Sequence, residues 1–458
     1  MKHLGPLRTT NIFRSAHAPL AGLLAGTLLL FRVSAQTATP VYSWDDCLSL
    51  ALKQNPDIAA SSKRVDAAKA AITTAKGAIY PALTTSAFYQ KREQQVATNG
   101  NQFPENRPDD YIADARLTQN VYSAGAVRAR IAIAKIRAEG EMLNSKATTN
   151  SVALQVQLAF LQTLFARENI RIQEQSVDLV RAELIDQLKL LKAGAVAQVN
   201  VDRAQVALGN QEPVLEQARA NLQTAYVQLS QLLAIPYSER ALALPFTIRG
   251  ELRSQPENLL LLDCLRRADE HRPEIASRRL TMAAAQRQIT VEKSTTRPQI
   301  NLFAAYDIYS ETDVRAVRDN FSGYTIGVSA GWTIFDGFAT RGRVNAAQAQ
   351  VKISETGLVA IHQQVQAEVR SAFYALQQAK ATLPSQAENV KLATEAMELT
   401  NKNMNAGIAT LLDVLQARVD LTRAQSLELA GRLEFNTALA RLRSALGEID
   451  LPEQAAGK

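Results

Sequence analysis

Apolar residues fall at every seventh position along the first helical stretch, at Ile58, Val65, Ile72 and Ile79, with Ala68 and Ala75 between them. Sevenfold spacing with small partners predicts a helix from about Pro56 to Ile79 that packs in coiled-coil fashion. Ile275, Met282 and Ile289 keep the same spacing in a later stretch. Pro81 and Pro298 close these helices, because proline lacks the N–H a helix needs. From near Gly125 to Ala193 a helical pattern then runs unbroken for roughly 70 residues, about 105 Å at 1.5 Å per residue. Leu154, Leu158, Leu161 and Phe165 form part of its stripe. Beyond a glycine turn, a helix of roughly 38 residues returns to about Ala234, so both segments are rods beside ordinary helices of about 11–12 residues. The first helix and the returning one together match the long one, which predicts that they stack end to end alongside it. Pro213 and Pro384 lie inside helical runs and predict local kinks.

Between the rods the period changes to two. Tyr111, Ala113, Ala115, Leu117 and Val121 share one face, with Gln119 the exception, against Asp114, Arg116, Thr118 and Asn120. Tyr324, Ile326, Val328, Ala330, Trp332 and Ile334 alternate with Thr325, Gly327, Ser329, Gly331 and Thr333. Strands apolar on one side, small or polar on the other and aromatic at their ends suit a membrane barrel; they also suit a soluble sheet packed on a core. Leu117, Val121, Ile326, Val328, Trp332 and Ile334 are the expected lipid-facing residues.

The chain repeats itself. Asp46-Cys47-Leu48 and Asn55-Pro56 return 217 residues later as Asp263-Cys264-Leu265 and Arg272-Pro273. Further on the offset is 213, carrying Tyr111 onto Tyr324, Phe160 onto Phe373 and Gly194 onto Gly407. Sustained registration of this kind signals internal duplication. The expected layout is a leader over 1–35, a first unit over 36–235 with a strand pair at 82–122, and a linker over 236–260. A second unit follows over 261–447 with a strand pair at 299–335, then a tail at 448–458. Each unit offers two strands, and four strands cannot close without exposed edges. Three copies would give twelve strands and two copies eight, both within the range of bacterial barrels.

Composition narrows the function. The basic start, the apolar core from Leu20 to Phe31 and Val33-Ser34-Ala35 read as a cleaved signal peptide. It takes four of the 51 basic residues and none of the 44 acids, leaving a net charge of about +3 that is spread along the chain. Nucleic-acid binding therefore has no support. No later apolar run reaches the length of a spanning helix, so entry into a membrane must be by β-strands. His271 and His362 are isolated, and there is no Walker motif, nucleophile elbow or zinc-helix motif. No catalytic residue, metal or cofactor is expected. Cys47 and Cys264 are repeat equivalents, expected as two buried free thiols too far apart to bridge.

The duplicated Leu48-x3-Leu52-x2-Asn55-Pro56 start, the strand-end Ile334-Phe335-Asp336-Gly337 and the turn Ala406-Gly407-x2-Thr410-x2-Asp413-Val414-x2-Ala417 resemble the TolC family of outer-membrane efflux and export channels. The resemblance covers the whole mature chain. It implies an α+β membrane protein, a homotrimer in which each chain lends four strands to a twelve-stranded barrel in the outer membrane of a Gram-negative bacterium. A coiled-coil-like helical tunnel would extend into the periplasm, closed at its tip until a periplasmic adaptor (membrane fusion) protein and an inner-membrane transporter of the RND, ABC or MFS class engage it. The cargo would be drugs, metals or proteins, delivered by an efflux pump or a type I secretion system.

By the same resemblance Gly194, Ala195, Val196, Gly407, Ile408 and Ala409 form the adaptor-docking tips, and Asp413, Gln416 and Asn200 line the constriction. Three copies of Asp413 would ring the pore and favour cations. Read from its position alone, Asp413 is an acid in a helix's first turn, favoured by the dipole. Ala409 and Asn200 stand where the family has a gating Arg and its acid partner, so apolar and neutral polar contacts, not a charged latch, are expected to hold the tip shut. The competing class is a secreted periplasmic coiled-coil scaffold or adaptor with a small soluble sheet.

Overall fold

The computed structural model describes residues 40–91, 109–235, 246–252, 259–310 and 320–448. The expected leader and nearly all of the tail lie outside them. The chain opens with β1 (Val41–Tyr42), α1 (Trp44–Gln54) and α2 (Pro56–Gly77). The helix expected from about Pro56 is α2, and α1 is a separate helix before it. Asn55 ends α1 in extended backbone, its side chain accepts from the Asp57 N–H at 2.9 Å, and Pro56 starts α2 where its missing N–H costs nothing.

Strands β2 (Ala82–Lys91) and β3 (Asp109–Tyr122) lead into α3 (Ala126–Lys192, 67 residues) and α4 (Gln198–Leu232, 35 residues). After β4 (Thr247–Ile248) come α5 (Leu261–His271), α6 (Pro273–Lys293), β5 (Gln299–Ser310) and β6 (Asn320–Gly331). Then α7 (Ala339–Asn405) and α8 (Leu411–Ala445) repeat the lengths 67 and 35. Helices α4 and α7 run through Pro213 and Pro384.

The four long strands form one antiparallel sheet in the order β2-β3-β5-β6. Its register aligns Leu83, Leu117, Ala304 and Ile326 in one apolar row, and Ser86, Asp114, Asp307 and Gly323 in a row on the polar face. Gln119 sits on the apolar face, opposite Leu302, but its amide turns to donate to the carbonyls of Ile79 (2.8 Å) and Asn120 (2.9 Å). A bulge follows, so that Tyr122, not Val121, pairs with Ile300. Trp332 and Ile334, expected within the last strand, lie just past its end at Gly331; the Trp332 indole donates to the Thr296 carbonyl at 3.0 Å.

Among the described residues the helices form an open layer. Beside the strands its order is α2-α3-α6-α7; further from them it is α4-α3-α8-α7. Helix α3 thus has neighbours on two sides, and the deeper stripe is Val152, Val156, Phe160 and Leu164, not Leu154, Leu158 and Phe165, which stay half-buried. The apolar core gathers midway along the rods, once around Cys47, Phe160, Leu229 and Phe246 and once around Cys264, Val369, Phe435 and Leu442. The linker contributes to the first of these. Its β4 pairs in parallel with β1, and Arg167 holds the Ile248 and Gly250 carbonyls, each at 2.9 Å. Cys47 and Cys264 are both buried and unpaired.

Candidate functional site: the two helical tips

Both hairpins turn on the same local chemistry. After α3, Gly194 takes φ +71°, its N–H donates to the Leu191 carbonyl, and the Ala195 N–H reaches Leu190, both at 2.9 Å. After α7, Gly407 takes φ +76°, with its N–H on Met404 (3.0 Å) and the Ile408 N–H on Asn403 (2.8 Å). These paired bonds close a helix end through a left-handed residue, where a side chain would be strained. The tips then differ. Ala197 starts α4 without a side-chain cap, whereas Thr410 and Asp413 form a reciprocal capping box on α8. Asp413 Oδ2 accepts from the Thr410 hydroxyl (2.7 Å) and N–H (2.8 Å), and the Thr410 hydroxyl accepts from the Asp413 N–H (3.3 Å). The Thr410 hydroxyl, then the Thr410 N–H, hold the Asp413 carboxyl below its usual range.

Asp413 and Gln416 are exposed and lie one turn apart on α8, and the Gln416 amide donates to Asp420 at 3.1 Å. Asn200 is half-buried in the first turn of α4, and its N–H bonds the Ala197 carbonyl at 3.0 Å. Gly194, Ala195 and Gly407 are exposed, Val196 and Ala409 half-buried, and Ile408 is 77% exposed.

A charged contact does join the hairpins, about three turns back from the tip glycines. Arg418 of α8 binds Glu183 of α3 at 2.7 Å, with side chains only 10% and 5% exposed. Arg418 also donates to the Leu179 carbonyl at 2.7 Å, and Gln187 donates to the other Glu183 oxygen at 2.9 Å. One turn further, the hydroxyls of Thr422 and Ser176 meet at 3.1 Å. Breaking such a buried pair by removing one partner costs roughly 3–5 kcal/mol, because it strands a charge away from water. Glu183 and Arg418 lie 235 positions apart, beyond any spacing argument. The one local signal is that Ser176, Glu183 and Gln187 occupy buried positions at helical spacing.

The other family motifs also have visible roles. Asp336 of the strand-end signature caps α7, accepting from the Thr340 N–H (2.8 Å) and hydroxyl (2.6 Å). Asn55 of the start motif donates to the carbonyl of Leu232, the last residue of α4, at 3.0 Å. Helices α4 and α2 therefore meet end to end beside α3, as their lengths had suggested.

The sequence matches the family model described as outer membrane efflux protein over residues 47–234 and again over 264–448. The chain belongs to that family. It is 24% identical over 410 residues to protein CyaE of Bordetella pertussis, covering 88% of this chain and 84% of that one. It is 22% identical over 406 residues to the outer membrane protein TolC of Escherichia coli, covering 86% and 80%. The Campylobacter jejuni CmeC outer membrane channel shares its fold, with a TM-score of 0.77 at 15% identity and coverage of 90% and 87%. The chain is thus an outer-membrane transport protein of the Gram-negative envelope with a periplasmic extension, not a soluble scaffold. It serves as the exit duct of an efflux or secretion system.

Proposed function

We propose that three copies of this duplicated chain assemble into a passive duct, closed at the helical tips and opened there by a periplasmic adaptor together with an inner-membrane transporter. The observation that carries the reading is that sheet and helix layer are open at the same two sides. Among the described residues strands β2 and β6 are the edges of the sheet, and α2 and α4 on one side and α7 on the other are the edges of the helix layer. Leu117, Ile326 and Val328 are 42%, 76% and 64% exposed on an apolar face that no described helix covers, which suits lipid. Joining β6 of one copy to β2 of the next, three times over, removes every edge. The equal lengths of α3 and α7, and of α4 and α8, support descent of the two halves from one unit.

The two capped tips are the surfaces offered to the adaptor, with Gly194 to Val196 and Gly407 to Ala409 at their ends. Asp413 lies in the first turn of α8 with one carboxylate oxygen engaged by Thr410, and a ring of three such acids favours cations. The energy for transport comes from the inner-membrane partner, of RND, ABC or MFS type, and that partner selects the cargo. Light scattering on protein extracted from the outer-membrane fraction tests the assembly. A mass of three 50.0 kDa chains, less the leaders, is expected. Monomers, or recovery from the soluble periplasm, would sink it. Photo-cross-linkers at Ile408 and Val196 should capture the adaptor, and their failure to do so would remove the docking role.

A further inference from the structure

A recess of about 1060 Å³ lies where α2, α3 and α6 pack side by side. Ala68, Ala71, Ala75 and Ala78 give it an apolar wall from α2, at helical spacings of three and four. Arg130, Arg137 and Glu141 share the facing side of α3, and Thr281 and Gln288 of α6 add neutral polar groups. A smaller recess of about 360 Å³ shares Ala78 and Arg130 with it and is also lined by Thr118, Asn120 and Asn301. Those three lie on the polar face of the sheet, where Asn120 pairs with Asn301. The two recesses therefore open on the same side as that polar face, which in the trimeric reading lines the duct.

The lining carries two guanidinium groups, on Arg130 and Arg137, and one carboxylate, on Glu141. Glu141 accepts from the Asn144 amide at 3.4 Å, whereas both arginines are exposed and neither is ion-paired among the described residues. The duplication supplies the comparison. At the offset of 213 Arg130 falls on Arg343, which is held by Asp336 at 3.4 Å and Glu292 at 3.5 Å. In the first unit Ser123 stands at the Asp336 position and Ala75 at the Glu292 position. The Ser123 hydroxyl still accepts from the Val127 N–H at 3.3 Å, as Asp336 accepts from the Thr340 N–H. The helix start thus keeps its cap and loses only the charge. Arg137, whose equivalent is Gln350, adds a second guanidinium seven residues on, about 10 Å along the same face of α3.

We infer that this recess is a binding station on the duct wall, one per copy, for small organic anions with an apolar body, whose acid group Arg130 and Arg137 receive. The inference rests on the duct reading above and adds a cargo class to it. A guanidinium matches a carboxylate or sulfonate through paired charge-assisted hydrogen bonds. The alanine wall and the arginine stems take the apolar part. The volume is of the order that holds drug-sized molecules. Because the arginines stand in water, binding stays weak, as passage requires: cargo must be able to leave as well as enter. The second unit offers no such station, since its one equivalent arginine is already occupied by Asp336 and Glu292.

The test uses the full chain reconstituted in lipid nanodiscs, with naphthalene-2-sulfonate as the probe, equilibrium dialysis as the readout and empty discs as the blank. Saturable binding of one probe per copy is expected, weakened by added salt. Arg130→Gln and Arg137→Gln should each lower the affinity about tenfold, the scale of one lost charge-assisted bond. Arg128→Gln removes the same charge from α3 outside the recess and should bind as the parent does. A parent without saturable binding would overturn the inference, and so would parent affinity in Arg130→Gln or Arg137→Gln. Equal losses in Arg128→Gln and Arg130→Gln would mark a diffuse field instead of a site. Uncharged naphthalene-2-methanol binding as tightly would mark an apolar groove without anion recognition, and both results reject the station. Light scattering on the same discs separates this from the earlier reading: absence of a trimer refutes the assembly, whereas a trimer that binds no probe refutes only the station.

Discussion

The side-chain amide of Asn55 donates to the backbone carbonyl of Leu232, 177 residues away, at 3.0 Å. One residue thereby caps the start of α2 through its oxygen and closes the end of α4 through its nitrogen. Asn55 is 4% exposed. Asn55→Ala should lower stability by roughly 2–3 kcal/mol, from a lost cap and a carbonyl left without its partner. Asn55→Asp keeps the cap but turns a carboxylate toward Leu232, so thermal unfolding should show it rescuing only part of the loss. Full rescue by aspartate would mean the Leu232 bond contributes nothing.

Glu183→Ala should be costly, at roughly 3–5 kcal/mol, because it leaves the Arg418 guanidinium buried and unpaired. Glu183→Leu combined with Arg418→Met should recover most of that, since two apolar groups of similar volume need no partner. Denaturant midpoints for the single and double variants check the ordering. A double variant as unstable as Glu183→Ala would show that Leu179 and Gln187, not the ion pair, dominate the contact.

Asp413 lies below the usual carboxyl range because Thr410 bonds its charged form. A folded-state value below the unfolded one means that the cap contributes above the ordinary carboxyl range and is lost as the pH falls through the lowered value. Hydrogen exchange at the start of α8 should therefore quicken at strongly acidic pH, and Thr410→Val should quicken it already at neutral pH. In bilayers, Asp413→Ala should cut the preference for cations. Unchanged selectivity would confine Asp413 to its capping role.

Burial raises the Cys47 thiol from its usual 9.0 to about 12, with the Asp46 charge adding to the effect. Alkylation at pH 8 should label neither Cys47 nor Cys264 in the folded protein and both after denaturation. A raised thiol value favours the folded state while the group stays protonated, and that contribution is lost as the pH climbs from 9.0 toward about 12. Labelling of Cys47 at neutral pH without denaturant would contradict its burial.

Periodicity and turn chemistry made much of this molecule legible before any coordinates. Alternation around Leu117, Ile326 and Val328 matches the sheet register, and the rods end at Gly194 and Gly407 as their glycines suggest. Both signals are local, set by sterics between near neighbours in sequence. The misjudged places were those where a distant neighbour intervenes. Trp332, expected within the last strand, turns from it to the Thr296 carbonyl. The stretch read as a mere linker places Phe246 and Ile248 in the core.

By itself, then, the sequence determined the elements, their order and their faces, because periods of 2, 3.5 and 3.6 are written in consecutive residues. It also determined the left-handed turns at Gly194 and Gly407, because their partners lie within three to five positions. Tertiary structure alone decided that Glu183 would find Arg418, that Asn55 would join α2 to α4, and that a charged contact would bind the hairpins behind the glycine turns. Those pairs join positions 177 and 235 residues apart. Their energy comes from exclusion of water and facing geometry, which exist only once the rods are packed side by side.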